Sequence, residues 1–156
     1  MTLDSETTLR LERLIAAPPE QLFALWTEPS QVMKWWAPEG YTVSAHSFDM
    51  KPGGRWRVAM RRADGGEVAT CGVYRVVDPP HRLTFTWAWE NEDGARDHET
   101  EVTVIFETSP GGARLTLVQR RFESKRARDD HGRGWSGCLV RIATVAADAV
   151  EGENAK

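Results

Sequence analysis

Hydrophobic residues recur along this chain at two different periods, and the switches between them mark out the elements. Thr8, Arg10, Glu12 and Leu14 alternate with Leu9, Leu11, Arg13 and Ile15, which reads as a first strand. Ala17-Pro18-Pro19-Glu20 breaks that pattern, and a proline in the first turn of a helix misses no backbone N–H. Leu22, Phe23, Leu25 and Trp26 then follow at helical spacing until Glu28-Pro29-Ser30. Ser30 is placed to cap a second short helix running to Trp36, with Val32, Met33 and Trp36 inward, and Ala37-Pro38-Glu39-Gly40 ends it.

From Tyr41 the period is two. Val43, Ala45 and Ser47 alternate with Thr42, Ser44 and His46, and Lys51-Pro52-Gly53-Gly54 turns the chain. Trp56, Val58 and Met60 alternate with Arg55, Arg57 and Arg61 up to an Asp64-Gly65-Gly66 hairpin signal. Val68 to Val77 forms the next strand, and Asp78-Pro79-Pro80 ends it. Leu83, Phe85, Trp87 and Trp89 then share one face against Thr84, Thr86 and Ala88. After a polar loop at Asn91–Asp97, Val102, Val104 and Phe106 form one stripe and Leu115 and Leu117 another, separated by Ser109-Pro110-Gly111-Gly112. The turns recur as in an antiparallel meander.

The last element is helical. Trp135, Cys138, Leu139, Ile142, Val145, Ala146 and Ala149 fall on one stripe, with Arg133, Arg141 and Asp148 elsewhere on the wheel. Gly134 and Trp135 are read as its start, with Trp135 anchoring it on the sheet, away from any ligand; Glu151–Lys156 is read as a frayed tail. The order is one strand, two short helices, six strands and one long helix. It predicts a single α+β domain over residues 1–156: a curved antiparallel sheet of about six or seven strands wrapped around the C-terminal helix, with a cavity between them.

Four segments carry a resemblance to known proteins. They are Ala17-Pro18-Pro19-Glu20-Gln21-Leu22-Phe23 with Trp26; Trp35-Trp36-Ala37-Pro38 with Phe48-Asp49-Met50-Lys51-Pro52-Gly53-Gly54-Arg55-Trp56; Gly72-Val73-Tyr74 with Pro79-Pro80-His81-Arg82-Leu83 and Phe85-Thr86; and Gly134-Trp135 with Leu139. In this order and spacing the chain resembles the START-like, helix-grip superfamily of polyketide cyclases and lipid-transfer proteins. Within it, the chain is similar to the family named for the activator of the heat-shock protein 90 ATPase. The resemblance implies a helix-grip fold and a ligand cavity. The family's namesake carries a further domain and co-chaperone motifs not found here, so the resemblance implies little about a chaperone role.

Composition narrows the function classes. A net charge of −3 gives no global basic field, so no nucleic-acid partner is expected. Arg120, Arg121, Lys125, Arg126, Arg128 and Arg133 are broken by Asp129 and Asp130 and read as a solvated face, with the mouth of an anion site as the alternative. No apolar run is long enough to span a membrane. The two cysteines, Cys71 and Cys138, are far apart in sequence and read as reduced, buried thiols of a cytoplasmic protein. No histidine, cysteine or carboxylate spacing suggests a metal, and no cofactor is expected. His81 and His131 read as solvated.

Seven tryptophans favour a cavity with large flat walls. The expected wall is Trp36, Trp56, Met60, Tyr74, Phe85, Trp87 and Trp89, with Leu139 and Ile142 from the helix. Tyr74, Gln119 and His46 would orient polar atoms. Arg121 shares the strand parity of Leu115 and Leu117, so it too would point inward and need an acidic partner or a ligand carboxylate. No GxSxG or HExxH pattern and no Ser/His/Asp set appears. Three readings follow: a non-catalytic binder of a small hydrophobic or aromatic molecule, which is preferred; a cyclase- or hydrolase-type enzyme using the same cavity through Asp49, Glu90, Glu99 or His46; and a protein-interaction or stress-response module. Open strand edges could also pair across a homodimer.

Overall fold

The computed structural model describes residues 6–37, 40–90 and 98–154, with side chains to residue 148. Strand β1 (Leu9–Ile15) leads into helices α1 (Pro19–Thr27) and α2 (Pro29–Val32). Six strands follow: β2 (Tyr41–Phe48), β3 (Arg55–Arg62), β4 (Glu67–Asp78), β5 (Arg82–Trp89), β6 (Thr100–Ser109) and β7 (Gly112–Arg120). Helix α3 (Lys125–Asn154) closes the chain. One antiparallel sheet holds all seven strands in the order β1-β7-β6-β5-β4-β3-β2. Consecutive hairpins build the meander, and β1 returns beside β7 with Leu11 opposite Leu117. This is the expected α+β helix-grip architecture.

Strand β5 lies centrally, and Leu83, Phe85 and Trp87 on its inner face are all buried. Gly65 at the β3–β4 hairpin has a φ of 92°, a conformation that glycine adopts without steric cost. Gly72 is needed for a different reason. A Cβ there would stand 1.8 Å from the Thr86 carbonyl oxygen. That closeness lets the indole of Trp56, on β3, pass over β4 and donate to Thr86 O on β5 at 3.1 Å.

The core is a run of aromatic rings joining the helices to the sheet. Trp26 of α1 lies 4.6 Å from Trp35 and 5.7 Å from Trp135 of α3, the latter stacked. Trp36 reaches Trp56 edge-on at 5.4 Å. Trp35 also donates its indole N–H to Leu25 O at 2.7 Å, which fixes the segment after α2 against α1.

Three element boundaries differ from the sequence reading. Helix α2 is a single turn with Pro29 at its first position and Glu28, not Ser30, in the N-cap; beyond Val32 the chain turns through Trp35. Helix α3 begins ten residues before Trp135, at Lys125, with the Ser124 hydroxyl accepting the Ala127 N–H at 3.1 Å as a cap. The expected tail instead continues α3 to Asn154. Met1–Ser5, the Pro38-Glu39 pair, the segment 91–97 expected as a polar loop and the side chain of Ala149 lie outside the described residues.

Candidate ligand cavity between sheet and helix

A cavity of about 390 Å³ opens between the inner face of the sheet and α3. Its sheet wall is Met60 from β3, Thr70 from β4, and Trp87 and Trp89 from β5. Trp35 and Trp36, from the segment after α2, form a second wall. The third comes from the approach to α3 and from the helix: Glu123, Ala127, Asp130 and His131 near its start, then Gly134, Trp135, Cys138 and Arg141. At 3.6 residues per turn these helix positions form one stripe beside the core stripe of Leu139, Ile142 and Ala146.

Trp36, Met60, Trp87 and Trp89 stand in this wall as expected from strand parity and helix spacing. Trp89 is the most open of them, at 38% exposure, with its ring edge-on to Trp87 at 4.9 Å. Trp56, Tyr74 and Phe85 line a separate gap of about 10 Å³, close to the limit for one water molecule. Burial pushes the Tyr74 phenol well above its ordinary range, so it stays neutral there.

The other expected wall residues lie elsewhere. Leu139 and Ile142 pack in the core behind the cavity. Gln119 is fully buried and its amide is satisfied by protein groups: it donates to Thr100 Oγ1 and accepts from Trp135 Nε1, both at 2.7 Å. His46 is exposed on edge strand β2, with its ring 5.8 Å from Phe48. A register shift between Val43 and Ala45 breaks the simple alternation that the sequence suggested there. Arg121 is exposed as well. Strand β7 stops at Arg120, and Arg121 has a φ of 71°, so the parity of Leu115 and Leu117 does not carry through it. Its carbonyl instead accepts a hydrogen bond from His98 Nε2.

Two residues gain a role that sequence reasoning denied them. Trp135 both anchors α3, through Gln119, and presents a face to the cavity. His131 is not solvated: its ring sits edge-on to Trp87 at 4.6 Å and against Phe122 at 4.9 Å. Burial pushes its pKa below the ordinary value, opposed by the Asp130 carboxylate. Trp87 is distant in sequence from His131, so no local pattern signals this contact.

Arg141 is half-buried in the wall. Its Nε donates to Trp35 O at 2.9 Å, and Nη2 donates to Cys138 Sγ at 3.2 Å. Burial pushes the Cys138 thiol up to about 11, against the lowering effect of Arg141. The Thr70 hydroxyl is buried and finds no hydrogen-bond partner among the described residues. Of the carboxylates in the wall, Asp130 pairs with Arg133 at the surface, and Glu123 is exposed. Among the described residues no group of three or more His, Cys, Asp or Glu could hold a metal, and no helix is long and apolar enough to cross a membrane.

The same architecture recurs in solved structures. The AHSA1 protein from Silicibacter pomeroyi is 34% identical, covering 90% of this chain and 97% of its own, with a TM-score of 0.80. A protein from Chromobacterium violaceum is 25% identical over 90% and 97% of the two chains, with a TM-score of 0.81. One from Rhodobacter sphaeroides is 25% identical over 94% and 97%, with a TM-score of 0.80. No curated protein matches the sequence. The profile of the family described as Activator of Hsp90 ATPase homolog 1-like protein matches residues 16–147. With that match spanning most of the chain and the fold shared over 90% of it with a 34% identical member, the chain belongs to the Activator of Hsp90 ATPase homolog 1-like protein family.

Proposed function

We propose that the chain is a non-catalytic binder of a small hydrophobic or aromatic molecule, held between the sheet and α3. The observation that carries this reading is the wall itself: five tryptophans, Trp35, Trp36, Trp87, Trp89 and Trp135, face one cavity of about 390 Å³. That volume lies in the range of small-molecule sites, which are concave, mostly apolar and furnished with a few polar groups. Flat indole faces favour a planar or aromatic occupant. We place this function in the cytoplasm, where Cys71 and Cys138 would be kept as thiols.

A neutral aromatic fluorophore titrated into the protein tests the reading. Saturable binding of one equivalent, with a change in tryptophan emission, is the expected result. Absence of saturation at millimolar probe would refute it. Native mass spectrometry of protein purified from its own host would then weigh the retained occupant.

One observation favours a second reading, an enzyme of cyclase or hydrolase type. His131 is held in the wall against Trp87, beside Asp130, and burial favours its neutral, proton-accepting form. The two readings separate at His131→Gln: a binder keeps its affinity for the fluorophore and has no turnover to lose.

A further inference from the structure

The polar groups of the cavity are unevenly placed along α3. Glu123, Asp130 and His131 lie around its start, and Arg141 lies about 16 Å farther along the axis than Asp130. At the start, Asp130 already has Arg133, and exposed Glu123 keeps its hydration. At the far end, Arg141 is half-buried, and among the described residues it pairs with no carboxylate. A cation withdrawn from water gains more from a counter-ion than an exposed anion does, because screening falls with the local dielectric.

Arg141 is also held in position. A guanidinium carries its N–H donors in a planar fork. Two of them are spent on Trp35 O and Cys138 Sγ, which fix the plane and leave the remaining N–H groups with no protein acceptor among the described residues. Gly137 gives this head its room, since a Cβ there would stand 3.3 Å from Nη1. An independent group points the same way. The Thr70 hydroxyl, in a residue only 1% exposed, lines the same cavity without a partner among the described residues. A buried hydroxyl left unpaired is costly, and it can donate to a ligand oxygen.

We propose that the cavity takes an amphipathic aromatic acid, its ring against the tryptophans and its carboxylate on the unspent N–H groups of Arg141. This rests on the reading of the cavity as a ligand site and adds the chemical class of the ligand. Charge-assisted N–H···O bonds to a planar carboxylate are the strongest contact that such a fork can make. The carboxylates of Asp130 and Glu123 near the start of α3 work against a second anion there, so one acid group is accommodated and a diacid is disfavoured.

The test compares 2-naphthoate with its neutral isostere 2-naphthamide by calorimetry, on the full chain at about neutral pH, where the acid is ionised. The expected result for the unmodified protein is a naphthoate affinity about tenfold above that of the amide, the scale of one charged hydrogen-bonded contact. In Arg141→Met the acid should lose far more affinity than the amide, so that the preference disappears. Arg141→Lys should keep part of the preference. Added salt should weaken the acid and leave the amide alone, which gives a readout on the unmodified protein even where Arg141→Met fails to fold. Equal affinities in the unmodified protein, or a preference that survives Arg141→Met, overturn the proposal while leaving the apolar cavity standing. Binding of neither probe removes both.

Discussion

The indole N–H of Trp135 donates to the side-chain oxygen of Gln119 at 2.7 Å, and both residues are buried. The Gln119 amide then donates to Thr100 Oγ1, and the Thr100 hydroxyl donates to the Trp87 carbonyl at 3.1 Å. A single relay thus ties α3 to β7, β6 and β5 beneath the cavity. Gln119→Leu should destabilise the fold by roughly 1–3 kcal/mol, because it strands a buried indole donor. Urea unfolding measures this. The double variant Gln119→Leu with Trp135→Phe should cost less than the sum of the two single changes, since each removes the same bond. Strict additivity would show that the relay is not energetically linked.

The two cavity tryptophans of β5 should separate stability from binding. Trp87 is 7% exposed and packs under His131, whereas Trp89 is 38% exposed at the rim. Trp87→Ala should cost about 3–5 kcal/mol of stability, as large buried aromatics do. Trp89→Ala should cost less than about 1 kcal/mol, yet still weaken an aromatic probe by roughly 1–3 kcal/mol through lost apolar contact. A Trp89→Ala protein that binds the probe normally would place the ligand deeper than the rim.

His131 gives the fold a pH dependence with a defined sign. Its folded-state pKa lies below the ordinary value through desolvation, so the unfolded chain takes up the proton first. The associated stability is fully present above about pH 6.5 and is lost as pH falls from there through the lower folded-state pKa. The nearby Asp130 reduces the size of the effect without reversing it. The slope of urea stability against pH over this window should be smaller in His131→Gln. An unchanged slope would assign the acid sensitivity to other groups.

Cys138 should be a slow thiol. Raised to about 11 by burial, it holds little thiolate near neutral pH. Iodoacetamide should therefore modify it on the order of a hundredfold more slowly than an exposed cysteine. A cavity ligand should slow it further, because Cys138 lines the wall. Mass spectrometry of the labelled peptide reads both rates, and fast labelling would contradict the enclosed position of the thiol.

Much of the sheet was legible because its strands alternate cleanly. Val102, Val104 and Phe106 lie on β6, where parity and burial agree; on central β5 Leu83, Phe85 and Trp87 are buried, and so are Thr84, Thr86 and Ala88 between and beside them. Parity failed at Arg121, past the end of β7, where the backbone leaves the ladder, and His46, expected inward without a parity argument, lies exposed on an edge strand. The early turns of α3 were hidden because Gly132 and Gly134 stand among charged residues, a composition that reads as loop. The same stretch and the approach to it supply Glu123, Ala127, Asp130 and His131 to the cavity. Half of the helix-side wall was therefore illegible for one local reason, while Arg141 was seen only as a residue off the apolar stripe. Its carbonyl partner Trp35 is remote in sequence, and nothing in the spacing announces the bond.

The crossing of Trp56 over Gly72 has a mechanical consequence. In an ordinary sheet each strand is fastened only to its two neighbours, so a shear between alternate strands meets resistance at two successive ladders. Here β3 holds β5 directly through the indole and the Thr86 carbonyl, bypassing β4. The three strands are riveted at this point and must slide together or not at all. Amide protons around Thr86 and Val73 should accordingly exchange only with the most complete opening of the molecule, and the floor beneath the tryptophans should keep its shape when the helix above it moves.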